Sequence, residues 1–336
     1  MSDPIAVLGA GSWGTALAVL LAGKGIPVRL WGRDSDHISL IEAKRENPDY
    51  LPGVVIPAGV TPTSSLTDAL HSAGIVLVVT PSRALRALAE TMQTGGKLSP
   101  DAVLVSCTKG LEHGTGLRMS EILAQNLPSN PVAVLSGPSH AEEVARNVPA
   151  AVVLGCADQS VAKRLQQVFN TRAFRTYTSD DVAGIELGGA LKNIFAIAAG
   201  ICDGLGLGDN TKAALVTRSL AELIRLGVRL GGQRETFQGL SGIGDLMVTC
   251  FSRHSRNRLV GERIGRGESL AAITASMKMV AEGVPTTQSA WECAQKVGVV
   301  TPVIDQMHAI LYGQQSPKEA LGELMLRDPK PEREDG

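Results

Sequence analysis

The hexapeptide Gly9-Ala10-Gly11-Ser12-Trp13-Gly14 constrains this chain more than any other stretch. Before it runs Ile5-Ala6-Val7-Leu8, a short apolar segment of buried-strand type. After it, Thr15 to Lys24 places Ala16, Leu17, Leu20 and Leu21 at helical spacing. A strand that passes through a glycine turn into a helix gathers unpaired N–H groups and the positive end of the helix dipole at one point. In that setting Gly9 makes the tight turn, Gly11 admits a pyrophosphate to the backbone, and Gly14 lets helix and strand pack closely. A glycine turn alone would also serve as a plain strand-to-helix connector. Near the amino terminus, in this strand and helix context, it is expected to hold a dinucleotide.

Val28-Arg29-Leu30-Trp31 reads as a second strand, following a helix closed by Gly23 and Gly25. An NAD-specific site would place Asp or Glu at the end of that strand to bond the ribose hydroxyls, whereas this strand runs into Gly32-Arg33. A guanidinium there suits the extra phosphate of NADP and does not forbid NAD; a solvated arginine is the plain alternative. Asp34 is expected to cap a helix over residues 35–44. Residues 47–62, rich in proline and glycine, read as a loop. Strand-like runs recur at 75–79, 102–106, 132–135 and 150–154, with helical segments at 84–92 and 117–126. This alternation implies α/β architecture with a Rossmann-type, doubly wound parallel sheet. Its ligands would sit beyond the carboxyl ends of the strands, near Thr80-Pro81-Ser82, Cys107-Thr108-Lys109-Gly110 and Ser136-Gly137-Pro138-Ser139.

Past Asp180-Asp181, either of which can cap a helix, the texture changes. Residues 182–201, 211–225, 256–265, 270–277, 286–297, 302–311 and 317–326 all carry helical spacing with caps or glycine stops. A chain of 336 residues exceeds the roughly 250–300 at which single cores stop growing. Two domains are therefore expected: residues 1–180, dinucleotide-binding, and 181–336, an all-α carboxyl-terminal domain for substrate and catalysis.

The 32 Lys+Arg against 33 Asp+Glu, with 3% aromatic residues, give no nucleic-acid footprint. Five scattered cysteines without a C-x-x-C pair fit neither a disulfide framework nor zinc, and suggest a reducing, cytoplasmic setting. The start lacks signal-peptide character, and no apolar run is read as approaching the roughly 20 residues that span a bilayer. Residues 328–336 are expected to fray as a polar end. The six histidines show no metal-ligand spacing, and Ser136-Gly137-Pro138-Ser139-His140 has the wrong order for a nucleophile elbow.

Three stretches could carry chemistry. Lys192 lies in Glu186-Leu187-Gly188-Gly189-Ala190-Leu191-Lys192-Asn193, among small and apolar residues. Two adjacent helical glycines, each costing about 1 kcal/mol against alanine, suggest that something approaches that face closely. A lysine desolvated there becomes an acid or base near neutral pH; a snorkelling lysine with its amine in water is the alternative. Asp245, in Gly242-Ile243-Gly244-Asp245-Leu246, could orient a substrate hydroxyl or the lysine, or merely cap the next helix. Ser255-Arg256-Asn257 at a helix start assembles N–H groups, a hydroxyl, an amide and a cation, the means of gripping a phosphate; a solvated basic face is the alternative.

Taken in order, Gly9 to Ala16, Thr108-Lys109-Gly110, Ser136-Gly137-Pro138-Ser139, Leu191-Lys192-Asn193 and the stretch Gly244-Asp245-Leu246 through Ser255-Arg256-Asn257 resemble the bacterial NAD(P)-dependent glycerol-3-phosphate dehydrogenases along nearly the whole chain. The resemblance implies reversible reduction of dihydroxyacetone phosphate to sn-glycerol 3-phosphate with NAD(P)H, supplying glycerophospholipid synthesis, and a homodimer formed through the helical half. It implies that Gly9, Gly11, Ser12, Trp13, Gly14, Arg33, Tyr50 and Ala141 hold the dinucleotide, with Arg256, Val280 and Glu282 closing over it. Lys109, Gly137 and Ser139 fall at the join of cofactor and substrate. Lys192 would be the proton donor and acceptor, aided by Lys109 and Asp245, while Asp245, Ser255, Arg256 and Asn257 hold the substrate. Two other readings share the amino-terminal half: another two-domain hydroxy-acid or phosphogluconate dehydrogenase, and a non-catalytic NADP(H)-binding sensor.

Overall fold

The structure is a computed structural model describing residues 3–95, 98–329 and 331–332. Of the polar end expected at 328–336, residues 330 and 333–336 lie outside the described residues. The apolar runs form strands β1 (Ile5–Leu8), β2 (Val28–Trp31), β3 (Glu46–Asn47), β4 (Leu51–Val55), β5 (Val60–Thr63), β6 (Ile75–Val78), β7 (Val103–Ser106), β8 (Val132–Ser136), β9 (Ala150–Gly155) and β10 (Phe174–Ser179). Between them lie helices α1 (Ser12–Ala22), α2 (Ser35–Lys44), α3 (Leu66–Leu70), α4 (Ser82–Thr94), α5 (Met119–Asn126), α6 (Ala141–Val144) and α7 (Gln159–Phe169). The second half is helical: α8 (Val182–Leu205), α9 (Gly208–Arg229), α10 (Arg234–Phe237), a π-turn at Leu240–Gly244, α11 (Asp245–Phe251), α12 (Arg256–Gly265), α13 (Leu270–Ser276), α14 (Gly283–Val297), α15 (Pro302–Tyr312) and α16 (Pro317–Met325).

Eight strands form one sheet in the order β10-β9-β8-β7-β6-β1-β2-β5. The central strands β1, β6 and β7 are buried at every position, as strands covered on both faces must be. Leu17, Leu21, Leu30, Leu77 and Leu135 pack on one face, and Leu8, Leu88, Leu104 and Ile122 on the other. All neighbours are parallel except β8 and β9. A parallel return needs a substantial crossover, and between Ser136 and Ala150 the chain supplies only the one-turn helix α6, so β9 runs back antiparallel.

Residues 47–62 are not a plain loop. β3 and β4 pair as a hairpin, and β5 joins the sheet beside β2, with Pro62 opposite Leu30. Because β5 is an edge strand, the missing N–H of Pro62 is tolerated, and proline-rich composition disguised a strand. The capping expectations hold: Asp34 accepts the N–H groups of Asp36 and His37, and Asp181 accepts that of Gly184.

Chain order reverses beside β1: the chain leaves it toward β2 and β5, then returns to β6 on its other flank. A crevice opens beyond the carboxyl ends of strands at such a switch. The turn after β1 and the Thr80-Pro81-Ser82 turn after β6 flank it.

α8 is the axis of the helical half. Ile194, Phe195 and Ile197 pack in one cluster with Leu223 and Leu226 of α9, Val260 and Ile264 of α12, and Ile304 and Met307 of α15. Contrary to the expectation from sequence, α8 is long and apolar enough to cross a membrane, with mean hydropathy 1.4 over an 18-residue window; that window is wholly buried inside the protein. A helix enclosed by other helices and, at its start, by β8 and β9 has no polar face to show.

α8 and α12 meet through glycines. A Cβ on Gly200 would lie 1.9 Å from the carbonyl oxygen of Arg258, and one on Gly204 would lie 2.2 Å from that of Glu262. Reciprocally, a Cβ on Gly261 would lie 1.9 Å from the oxygen of Ile197, and one on Gly265 would lie 2.6 Å from that of Ile201. Glycines four apart on each helix thus let the two backbones touch, which fixes the start of α12 relative to Lys192 on α8.

Candidate active site

Gly9 adopts φ +130°, open to glycine, and a Cβ on it would lie 2.6 Å from the oxygen of Val79. A Cβ on Gly14 would lie 1.8 Å from the oxygen of Gly9, so helix and turn demand both glycines. Gly11 differs: its φ of −81° suits any residue, yet a Cβ there meets nothing within 4 Å. The chain leaves space above Gly11 and no side chain caps α1, so its first N–H groups face that space. Trp13 Nε1, on the first turn of α1, and Thr80 Oγ1, whose backbone abuts Gly9, are buried without hydrogen-bond partners among the described residues. Open space over a helix start, rimmed by orphan polar atoms, fits a dinucleotide.

The other residues expected to hold a dinucleotide lie around this turn. Ser12 is buried, and Trp13 packs with Ala16, Leu51, Val54 and Ala141, the first residue of α6. Tyr50 stands edge-on to His37 with ring centroids 5.0 Å apart. Arg33 is exposed just past β2. Sequence reasoning missed Asn47, a fully buried residue whose Nδ2 donates to the oxygen of Ala10 at 3.0 Å and to Thr15 Oγ1 at 2.8 Å. Its Oδ1 accepts the N–H of Tyr50, so one side chain braces the turn against its neighbouring loop. A lone asparagine in a stretch read as loop gave no signal.

From the helical half, residues 278–282 lie across the same turn. Ser12 Oγ is 3.5 Å from Met279 Sδ, Lys278 pairs with Asp49 at 2.8 Å, and the Val280 oxygen accepts from Arg256 Nη1 at 3.3 Å. The Glu282 carboxylate accepts the N–H of Ser82 at 3.1 Å and its hydroxyl at 2.6 Å. Burial holds the Glu282 carboxyl above its ordinary range despite these donors.

At the centre stands Asp245, 1% exposed, between two ammonium groups. Lys109 Nζ lies 2.7 Å from Oδ2 and donates to the oxygen of Gly137 at 2.9 Å. Lys192 Nζ lies 2.6 Å from Oδ1 and 2.6 Å from Thr249 Oγ1. Lys192 therefore does not snorkel, and Asp245 serves the lysines rather than capping α11. The adjacent glycines behave as expected: a Cβ on Gly188 would lie 2.6 Å from the Ser241 oxygen, and one on Gly189 would lie 2.5 Å from Ser136 Oγ. Thr249 was missed, although its place four residues after Asp245 on α11 puts it on the same helix face.

Burial pulls the Lys192 ammonium down to about 8; Asp245 opposes that shift and Lys109 reinforces it. Burial alone would raise the Asp245 carboxyl, but Lys109 and Lys192 outweigh it and hold the group below its ordinary value. The outcome is a fixed anion beside a lysine able to exchange its proton near neutral pH.

Gly137 takes φ +128°, and its carbonyl receives Ser139 Oγ at 2.9 Å as well as Lys109. Ser255 is the N-cap of α12, its hydroxyl accepting the N–H of Arg258 at 3.2 Å. Asn257 is buried; its Nδ2 donates to Asn193 Oδ1 at 2.9 Å and its Oδ1 accepts the N–H of Gly283 at 2.9 Å. Asn193 in turn reaches the carbonyl of Lys109 at 3.3 Å. This relay ties the start of α12 to the lysine centre and to the residue after Glu282.

A glycine turn at the switch point of a mostly parallel sheet, closed by a helical unit that delivers a buried lysine, defines a nicotinamide-nucleotide dehydrogenase built from two units. Residues 4–162 match the family described as NAD-dependent glycerol-3-phosphate dehydrogenase N-terminus, and residues 181–322 match the corresponding C-terminus. The chain belongs to the NAD-dependent glycerol-3-phosphate dehydrogenase family. It is 48% identical over 333 residues, 98% of both chains, to glycerol-3-phosphate dehydrogenase [NAD(P)+] of Carboxydothermus hydrogenoformans. The crystal structure of glycerol-3-phosphate dehydrogenase from Coxiella burnetii superposes with TM-score 0.94 at 41% identity, covering 97% of this chain and 99% of that one. D-mandelate dehydrogenase shares the fold alone, with TM-score 0.63 at 14% identity over 95% of this chain and 99% of that one.

Proposed function

We propose that this protein reversibly reduces dihydroxyacetone phosphate to sn-glycerol 3-phosphate with NADH or NADPH, supplying the backbone of glycerophospholipids. The observation that carries the reading is the buried Lys192 ammonium held by Asp245, which also holds Lys109 just past the carboxyl end of β7. Gly9, Gly11, Ser12, Trp13 and Gly14 would cradle the dinucleotide, with Arg33, Tyr50 and Ala141 beside it and Arg256, Val280 and Glu282 over it. When bound, the reduced nicotinamide supplies the hydride.

The chain's own residues supply the rest. Hydride addition to the ketone carbon leaves negative charge on the carbonyl oxygen, and Lys192 offers that oxygen first a cation and then a proton. Asp245 keeps Lys192 charged in a dry site until the proton is needed, and holds its amine in place. Lys109 adds a second positive charge and joins the same anchor to Gly137 and Ser139. Ser255, Arg256 and Asn257 receive the phosphate, whose binding energy, remote from the reacting carbon, positions the carbonyl. In the reverse direction the neutral amine takes the proton from the secondary hydroxyl. We extend the proposal to a cytoplasmic location, which five free cysteines favour.

A steady-state assay with dihydroxyacetone phosphate and each reduced cofactor tests the substrate. Lys192→Ala tests the mechanism: turnover should fall by roughly 10²- to 10⁴-fold with the melting transition retained. Near-normal turnover in a folded variant would remove Lys192 from the mechanism.

A further inference from the structure

Behind the turn that carries Ser255, Arg256 and Asn257 lies a cluster of charges which touches neither the lysine centre nor the dinucleotide crevice. Lys212 Nζ donates to both carboxylate oxygens of Asp203, at 2.9 and 2.8 Å, and Arg258 Nη1 meets Asp203 Oδ2 at 2.5 Å. The same Nη1 is 3.2 Å from Glu262. Each cation then reaches one end of the turn's entrance: Arg258 Nε donates to the carbonyl of Ser252 at 3.1 Å, and Lys212 Nζ stands 4.7 Å over the ring of Phe251. Within the turn the Ser255 N–H bonds the Ser252 oxygen at 3.2 Å, and the His254 N–H bonds Ser252 Oγ at 3.1 Å.

Lys212 is buried and Arg258 largely so, which costs desolvation that ion pairing only partly returns. The glycine contact between α8 and α12 already sets the crossing of these helices. What it adds is local: it pins the carbonyl of Ser252 and the ring of Phe251, leaving the following residues one path into the start of α12.

We propose that Asp203 is a positioning residue for the substrate phosphate, acting through Arg258 and Lys212 to hold the turn at 252–257 in the shape that grips it. This rests on the proposed function. It makes Asp203 a determinant of phosphorylated over unphosphorylated substrates without touching either.

The test compares dihydroxyacetone phosphate with dihydroxyacetone, the same ketone without its phosphate, in wild type, Asp203→Asn and Asp203→Glu. In Asp203→Asn the KM for dihydroxyacetone phosphate should rise about tenfold or more with kcat within about threefold, while kcat/KM for dihydroxyacetone and the KM for the reduced cofactor stay unchanged. Asp203→Glu should recover part of the loss. If Asp203→Asn does not fold, Arg258→Lys, which keeps the charge and drops the bond from Nε to Ser252, should give the same selective rise. An equal loss on both ketones, or an unmoved KM for the phosphorylated one, overturns the positioning role and leaves the proposed function standing. A wild-type protein that turns over neither ketone overturns both.

Discussion

Two sets of glycines do opposite work in this molecule. At the end of β1, Gly11 leaves empty space where a side chain would stand; at the crossing of α8 and α12, Gly200, Gly204, Gly261 and Gly265 leave none, because another backbone fills it. One glycine leaves room that the proposed function assigns to a ligand, and the others make a helix contact. The difference decides the sign of a simple substitution. In an ordinary helix interior, alanine for glycine gains about 1 kcal/mol. Here Gly261→Ala drives a methyl into the carbonyl of Ile197 at 1.9 Å, and neither backbone can yield without separating the helices. The expected outcome is destabilisation by roughly 3 kcal/mol or more, read as a fall in melting temperature. A melting temperature at or above wild type would break the comparison.

Gly11→Ala is the counterpart. Its backbone is extended and its Cβ meets nothing within 4 Å, so the melting temperature should stay close to wild type. The added methyl would occupy the space assigned to pyrophosphate, and the KM for the reduced cofactor should rise about 100-fold, equivalent to about 2.7 kcal/mol. A variant with wild-type cofactor affinity would return Gly11 to the status of a plain connector.

The same contrast separates what the sequence discloses from what it hides. Local signals read through directly: the glycine turn and the caps, at Asp34 and at one of Asp180 and Asp181, act within a few residues. Contacts between distant segments do not. Nothing near Gly200 announces Arg258, and nothing near Lys109 announces Asp245, 136 residues away. The edge strand β5 was hidden for a related reason, since only its place in the sheet makes Pro62 acceptable. Lys192 and Asp245 were legible as candidates, because a lysine among small residues and a carboxylate in a glycine turn are locally odd. Their pairing, and the roles of Asn47 and Thr249, required the fold.

The lysine centre offers a test that depends on such a long-range contact. With its ammonium brought down to about 8 by burial, Lys192 is protonated below that pH and neutral above it. Ketone reduction requires the protonated form, so kcat/KM should be level below pH 8 and fall about tenfold per pH unit above it, while alcohol oxidation, which needs the neutral amine, should rise about tenfold per pH unit up to 8 and level off above it. Because Asp245 opposes the depression, Asp245→Asn should move both breaks to lower pH, whatever it does to the rate. Breaks that stay in place would show that another group sets the profile.

The smallest effect concerns the exposed Arg33. The residue is exposed just past β2, at the position where a carboxylate would bond the ribose hydroxyls of NAD. An exposed guanidinium has no packing to lose, so Arg33→Ala should leave the melting temperature alone. Beside a 2′-phosphate it would form charge-assisted bonds that NADH cannot receive. The KM for NADPH should therefore rise about tenfold and that for NADH by less than about twofold, with the NADPH effect shrinking as salt is added. Equal weakening of the two cofactors would place Arg33 away from the 2′ position and leave the choice between NADH and NADPH to other residues around the turn.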